Sequence, residues 1–404
     1  VRSESQRSNI QTFHVMDVLK AATERQRTHG DVLSLAAGQP STPAPAPVLR
    51  AAREALDNQL LGYTETFGIE PLREVIADYH RRRSGIDVHA DEVIITTGSS
   101  GAFTLLFLAA FEAGDTVVVA RPGYPAYRNT LAALGCNVVE IDCGPQTRFQ
   151  PTVAMLEALE QSGTSPAGLI VASPANPTGT VIDPAELAAL ARWCEEHDTL
   201  LISDEIYHGI EFGGADSADS ADSADRDVQS TACVWETSRE AVVVGSVSKY
   251  FSMTGWRLGW TLVPERLRRA MQRLASNMTV CPPTISQYAA LEAFSDESRA
   301  ELDGHVQRYA VNRELLLTGL PKLGLTDLAP ADGAFYVYAD IAHLTDDSTA
   351  WCARLLAETG LALAPGVDFD TAHGDRTVRL SFAGSTAEIR DALHRLERWL
   401  PEPK

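Results

Sequence analysis

From Asp91 onward, five short apolar runs are the feature that most narrows the fold: D-E-V-I-I-T-T, D-T-V-V-V-A, G-L-I-V-A-S, T-L-L-I-S-D and A-V-V-V-G-S. None is long enough for a buried helix, and each is rich in β-branched residues, so each reads as a strand buried on both faces. Helical segments separate them, including G-S-S-G-A-F-T-L-L-F-L-A-A-F after the first run and a stretch over 184–197 before the fourth. Buried strands alternating with helices predict an α/β chain built on a mainly parallel sheet, with helices on both faces. Ligands of such sheets bind outside the carboxyl ends of the strands. Polar clusters occur at those ends here.

The tail differs. G-A-F-Y-V-Y-A-D and T-V-R-L-S-F-A flank a helix over 349–359, and a last helix runs over 386–400. This predicts a smaller α+β part, with D-L-A-P-A-D (327–332) as a loop within it. Residues 213–226 (G-G-A-D-S-A-D-S-A-D-S-A-D-R) are low in complexity and too small and acidic to bury themselves, which predicts a mobile surface loop. Its aspartates lack the Gly and terminal Glu of a calcium loop, so no metal is expected there.

The formal charge of −20 argues against nucleic acid and anionic membranes as partners, since phosphate backbones are held by Lys/Arg patches. No apolar run approaches the ~20 residues of a membrane helix, and the polar first residues do not resemble a signal peptide. Cys136, Cys143, Cys194, Cys233, Cys281 and Cys352 form no C-x-x-C pair and no Cys/His cluster. They read as reduced and structural, and a cytoplasmic location follows as the expectation.

Four clusters carry chemistry. T-T-G-S-S-G-A (96–102) joins a strand to a helix, so Ser99, Ser100 and the backbone N–H groups there suit a phosphate; the plain alternative is a helix cap. S-P-A-N-P-T-G (173–179) is a rigid turn holding Asn176, and a turn-forming Asn is its plain alternative. S-D-E-I-Y (203–207) places Asp204 and Tyr207 at a strand end. A carboxylate continuing an apolar strand should be partly buried and needs a partner, unless it merely caps a helix. S-V-S-K-Y-F-S-M-T-G-W-R-L-G-W (246–260) supplies Ser246, Lys249 and Arg257. A lysine at a buried strand end is unusual, and desolvation makes its amine nucleophilic toward a carbonyl. Arginine grips phosphate with a planar fork. Trp256 and Trp260 read as packing, and His208 as a structural histidine. Together these groups describe one ligand with a phosphate, an aldehyde, a phenolic oxygen and a ring nitrogen: pyridoxal 5′-phosphate.

The motifs N-P-T-G, S-D-E-I-Y and S-x-S-K-x-[FY]-x-x-x-G-x-R-x-G, in this order, resemble those of the fold-type I pyridoxal-phosphate enzymes, specifically the aspartate-aminotransferase-like class I/II aminotransferases. The similarity runs from L-A-A-G-Q-P (35–40) to V-R-L-S-F-A (378–383). It implies a large domain over 51–295 with a seven-stranded type of sheet, and a small domain from 1–50 and 296–404. Lys249 matches the lysine that binds the aldehyde and acts as general base, and Asp204 the carboxylate that keeps the ring nitrogen protonated. Asn176 and Tyr207 match donors to the ring oxygen, and Tyr124 the aromatic residue stacked on the ring. Ser99, Ser100, Ser246 and Arg257 match the phosphate cup. Arg379 matches the clamp on the substrate carboxylate, and Gly38 a glycine that closes over the substrate.

Tyr63, in L-G-Y-T-E-T-F-G, matches a tyrosine that reaches the neighbouring subunit's phosphate, implying a homodimer with shared active sites. The implied reaction moves an amino group from an L-amino acid to a 2-oxo acid with ping-pong kinetics. The same frame also serves β-lyases, decarboxylases and cyclopropane-forming synthases. A coenzyme-sensing DNA-binding regulator is disfavoured by the acidic charge and by the short stretch before the matched frame. Dicarboxylate-specific relatives carry a second arginine where S-N-M-T-V-C-P-P (276–283) places Ser276, with Arg273 only nearby, so aspartate specificity by that route is not expected.

Overall fold

The computed structural model describes residues 3–213 and 231–401; apart from Gly213, the acidic stretch 213–226 lies outside the described residues. In chain order the strands are β1 (Leu33–Ser34), β2 (Val93–Thr96), β3 (Thr116–Arg121), β4 (Asn137–Asp142), β5 (Gly168–Ala172), β6 (Leu200–Asp204), β7 (Val242–Ser246), β8 (Gly259–Leu262), β9 (Tyr336–Asp340), β10 (Leu361–Ala362), β11 (Ala364–Pro365) and β12 (Thr377–Ser381). Seven of them form the central sheet in the order β2-β8-β7-β6-β5-β3-β4. Only β8 runs antiparallel to its neighbours, and the other pairings are parallel.

Alternation along the strands feeds two cores. Val118, Leu169, Leu201 and Val243 face one side, while Val117, Val119, Ile170, Ile202, Val242 and Val244 face the other. A strand that buries both sets of side chains has no polar face, which is why these runs are continuously apolar. The five runs are strands β2, β3, β5, β6 and β7.

Two strands do not announce themselves. β4 (N-V-V-E-I-D) is an edge strand, with side chains mostly half-buried rather than core. β8 (G-W-T-L) sits inside the lysine motif and returns antiparallel along β7. The sheet order doubles back at β3, whose neighbours are β4 and β5, so a crevice opens beyond the ends of β3 and β5.

The remaining strands form two small sheets. β11-β12-β9 is antiparallel, and β1 pairs in parallel with β10, tying the N-terminal segment to the C-terminal part. The loop over 327–332 touches β9 through a bridge between Leu328 and Ala339. Gly333 N–H donates to Gly179 O (2.8 Å), so the small antiparallel sheet abuts the S-P-A-N-P-T-G turn. Trp260 is buried among Tyr79, Phe251 and Phe294, and Trp256 packs on the same core. All six cysteines are free thiols. Among the described residues no helix is long and apolar enough to cross a membrane.

Candidate active site

The strand ends converge on a cavity of about 330 Å³. β2 leads into Ser99 and Ser100, β3 into Tyr124, β5 into Asn176, β6 into Asp204 and Tyr207, and β7 into Lys249; Arg257 stands just before β8. Gly38 and Arg379 close it from the other part of the chain. Ten of the twelve residues proposed from the sequence therefore line one cavity. Ser246 and Tyr63 do not.

One end of the cavity is built for an anion. The helix Gly98–Ala110 begins after Thr97, whose side chain does not cap it, so among the described residues its first-turn N–H groups have no side-chain cap. Ser99 and Ser100 lie inside that first turn rather than at the capping position. Gly98 has φ +71°, and a Cβ there would lie 2.8 Å from Arg257 Nη2, so glycine lets the guanidinium rest against the helix start. Arg257 itself is held at φ 53°, donates to Thr254 O (2.8 Å), and forms no ion pair among the described residues. A left-handed non-glycine residue carrying an unpaired cation beside open N–H groups fits a phosphate.

Ser246 is buried one layer below. Its hydroxyl donates to Ser248 Oγ (2.8 Å) and lies 3.2 Å from Leu258 O, while Ser248, with Thr254, reaches the cavity wall. The turn after β7 presents the Ser248 hydroxyl to the cavity and leaves the Ser246 hydroxyl against it. Tyr63 is 87% exposed and stands away from the cavity.

The centre is electrostatically coupled. Lys249 Nζ donates to Gly38 O (2.7 Å) and lies 5.6 Å from the centroid of the Tyr207 ring. Burial, helped by the nearby Arg379 charge, lowers its amine from 10.5 to about 8, with Asp204 pulling the other way. Burial pushes the Asp204 carboxyl up to about 6, against the hydrogen bonds from Tyr127 OH and from Ile206 N–H (3.2 Å) and the Lys249 charge. Asp204 is fully enclosed rather than partly buried, and it caps no helix.

In coenzyme-free protein, acylation of Lys249 by a small anhydride, with its carboxylate as leaving group, should rise about tenfold per pH unit up to an inflection near pH 8, because only the neutral amine reacts. An ordinary lysine inflects near ~10.4. Peptide mapping separates Lys249 from Lys20, Lys322 and Lys404; an inflection above 10 at Lys249 would contradict the burial argument.

At the opposite end Arg379 is buried, 3% exposed, in β12. Nη1 donates to Asn176 Oδ1 (2.8 Å) and Nη2 to Ala36 O (2.7 Å), while Nε has no partner among the described residues. Its guanidinium stacks over Tyr336 (4.4 Å) and Phe369 (4.6 Å). A surface arginine is therefore excluded. Because Asn176 gives its oxygen to Arg379, its amide Nδ2 is left for a ligand. A Cβ on Gly38 would meet Tyr336 OH at 2.6 Å, so a side chain there would displace the phenol.

The cavity has further lining residues outside those twelve. Tyr127 donates to Asp204 Oδ2, and Tyr336 OH pairs with Tyr207 OH (2.6 Å). Tyr127 had a readable signal, since it follows Tyr124 by three residues at a helix start. Phe13, Val15, Met16 and Leu19 of the segment entering helix His14–His29 form an apolar wall that no local pattern announces. The second carboxylate of S-D-E-I-Y turns away: Glu205 accepts from Ser203 Oγ (3.0 Å) and Val234 N–H (2.9 Å), and lies by His208 Nδ1 (3.4 Å). His208 is buried, which holds it well below its usual range and neutral.

Residues 30–396 match the family model for aminotransferase class I and II. The chain belongs to this family. Class I and II aminotransferases depend on pyridoxal phosphate, and the donor set above fits that group: an open helix start with a free arginine, a nucleophilic amine and a buried carboxylate. The chain is 57% identical over 395 residues to the valine–pyruvate aminotransferase of Mycobacterium tuberculosis, covering 98% of each protein. It is 36% identical over 381 residues to the aspartate/prephenate aminotransferase of Thermus thermophilus, covering 94% of each.

Among solved structures, an aminotransferase from Mycobacterium tuberculosis superposes with a TM-score of 0.93 at 56% identity, covering 99% of this chain and 100% of that one. The aspartate aminotransferase from Thermus thermophilus with maleate gives 0.89 at 35% identity, covering 98% and 100%. These relatives are named for amino-group transfer, and this chain is an aminotransferase that moves an amino group from an amino acid to a 2-oxo acid.

Proposed function

We propose that this aminotransferase binds pyridoxal phosphate at the cavity described above and takes L-amino acids with aliphatic side chains as donors, with pyruvate as an acceptor. Ser99, Ser100, Ser248, Thr254 and Arg257 hold the phosphate, Tyr124 faces the ring, and Asn176 and Tyr207 bind its oxygen. The bound coenzyme supplies an aldehyde that holds the substrate nitrogen and a cationic ring that accepts the electron pair left by the departing α-proton. Lys249 takes that proton and returns it, a role suited to an amine whose affinity for a proton is lowered by burial. Asp204 keeps the ring nitrogen protonated through its charge. Arg379 holds the substrate carboxylate with its guanidinium.

The observation that carries the substrate class is the apolar wall of Phe13, Val15, Met16 and Leu19. A branched aliphatic side chain buried there gains roughly 25 cal/mol per Å² of apolar surface, whereas a carboxylate would be desolvated without a partner. Among the described residues, the cations lining the cavity are Lys249, Arg257 and Arg379, each already assigned. Ser276 and Arg273 both lie on the exposed face of helix Glu265–Met278. The relative named for valine and pyruvate supports the same class. With pyruvate as acceptor, kcat/KM for L-valine should exceed that for L-aspartate by about tenfold or more, as the transfer of one or two methylene equivalents implies. Equal or reversed values would overturn the aliphatic reading.

A homodimer with shared sites is part of the proposal. Leu60 (96% exposed) and Tyr63 are uncovered on the single chain, as are Leu56, Met278 and Val280, and such apolar exposure suits a subunit interface. A solution mass equal to one chain would contradict it. The division into 51–295 and 1–50 with 296–404 is supported by the sheets, since the seven central strands fall in the first part and the small sheets in the second. A cytoplasmic location accords with the free thiols, and cell fractionation tests it.

A further inference from the structure

Helix His14–His29 carries the apolar wall but cannot cap itself. Its N-cap position is Phe13, which offers no side-chain acceptor. Its first N–H groups are nonetheless satisfied from far along the chain: His14 N–H donates to Asp368 Oδ1 (2.8 Å) and Val15 N–H to Asp368 Oδ2 (2.7 Å). Both carboxylate oxygens are thus spent on one helix start, and Asp368 is buried.

The next residue, Phe369, packs its ring under the Arg379 guanidinium at 4.6 Å, and its carbonyl accepts from Gly123 N–H (2.8 Å), one residue before Tyr124. Arg128 Nη2 anchors the Asp368 carbonyl (2.8 Å). One two-residue piece of chain therefore touches the helix bearing the wall, the carboxylate clamp and the segment leading to Tyr124.

We propose that Asp368 is a positioning residue for substrate recognition: its carboxylate fixes the start of helix His14–His29, and so sets the distance between the apolar wall and Arg379. The proposal rests on the aliphatic reading above and extends it. The helix's other end is held separately, by Arg25 paired with Asp31 (2.6 Å) and donating to Ala357 O, so loosening the start pivots the wall without releasing the helix. A substrate clamped by its carboxylate meets the wall only if that distance is right. A long side chain is penalised more than a methyl group when the wall moves.

Three variants of the coenzyme-loaded enzyme test this. Asp368→Ala removes the acceptor, and Asp368→Asn keeps one oxygen. His14→Pro removes one donor at a first helical position that tolerates proline, leaving Asp368 intact. Asp368→Ala and His14→Pro are each expected to raise KM for L-valine about tenfold, with kcat changed less than about threefold. KM for L-alanine should move by less than about threefold, and the visible spectrum of the bound coenzyme should stay unchanged. Asp368→Asn should recover part of the loss, and hydrogen exchange should quicken over residues 13–19 in the two stronger variants.

Unchanged valine KM in both variants, or equal losses for valine and alanine, overturns the proposal. If Asp368→Ala does not fold, His14→Pro carries the test alone. If the unaltered enzyme uses alanine but not valine, the substrate reading falls separately; the exchange measurement then decides, and unchanged exchange overturns the positioning role.

Discussion

Lys249→Ala should lower transamination by about 10⁴-fold, the upper end of what one positioned proton-transfer group contributes, and should abolish the visible absorption of lysine-bound coenzyme. The effect is large because no neighbour can replace it. Lys249 Nζ sits within hydrogen-bond reach of the Gly38 carbonyl, in a cavity whose other cations, Arg257 and Arg379, cannot be deprotonated. Tyr207, whose ring centroid lies 5.6 Å from Nζ, has its hydroxyl pushed well above its ordinary range by burial and by the Tyr336 hydroxyl, so it stays protonated and is no base. The phosphate-binding groups remain intact in the variant, so the coenzyme should still bind without the covalent link. Turnover within tenfold of the unaltered enzyme, or a retained lysine-type absorption band, would contradict the assignment.

Asp204→Ala should cost about 10³-fold in kcat. A single opposite charge within about 4–6 Å shifts a pKa by about one to three units, and without it the ring nitrogen would lose its proton at neutral pH. The site makes this charge expensive to hold: burial raises the carboxyl to about 6, and Tyr127 OH with Ile206 N–H offsets part of that penalty. A second readout separates electrostatics from damage. Asp204 raises the Lys249 pKa, so removing it should move the Lys249 labelling inflection to below about 8. Near-normal turnover, or an unmoved inflection, would count against the role. The sign is defined: in the coenzyme-free protein Asp204 carries its charge above about pH 6 and loses it below, and a cationic ring nitrogen beside it would lower that value.

How far the sequence could be read depended on whether the cause was local. Strands such as β3 and β7 are legible because burial on both faces demands V-V-V runs. β4 and β8 are not, since an edge strand tolerates polar residues and β8 shares its residues with the lysine motif. In the site, Lys249 stands out as a cation at a buried strand end, whereas Asn176 and Asp204 each have a plain alternative, a turn and a helix cap, and gain their meaning only as one set with Lys249 and Arg257.

Ser246 and Ser248 lie two residues apart, and only the turn after β7 decides which hydroxyl faces the cavity. Tyr336 and the wall from Phe13 to Leu19 arrive by long-range packing, Tyr336 from the small sheet and the wall from the N-terminal helix. Asp368 is less legible still. It reads as an ordinary turn residue until its two oxygens are seen on His14 and Val15, 354 and 353 positions away.

The central claim is that Lys249, Asp204 and Arg379 act on one amino acid held by pyridoxal phosphate. The most direct measurement is a single half-reaction: coenzyme-loaded protein mixed with L-valine and no acceptor, with the visible spectrum and the released products followed together. The predicted result is complete conversion to the pyridoxamine form, with one equivalent of the 2-oxo acid of valine per site. Release of ammonia or carbon dioxide, or an unchanged spectrum with every amino acid supplied, would contradict it.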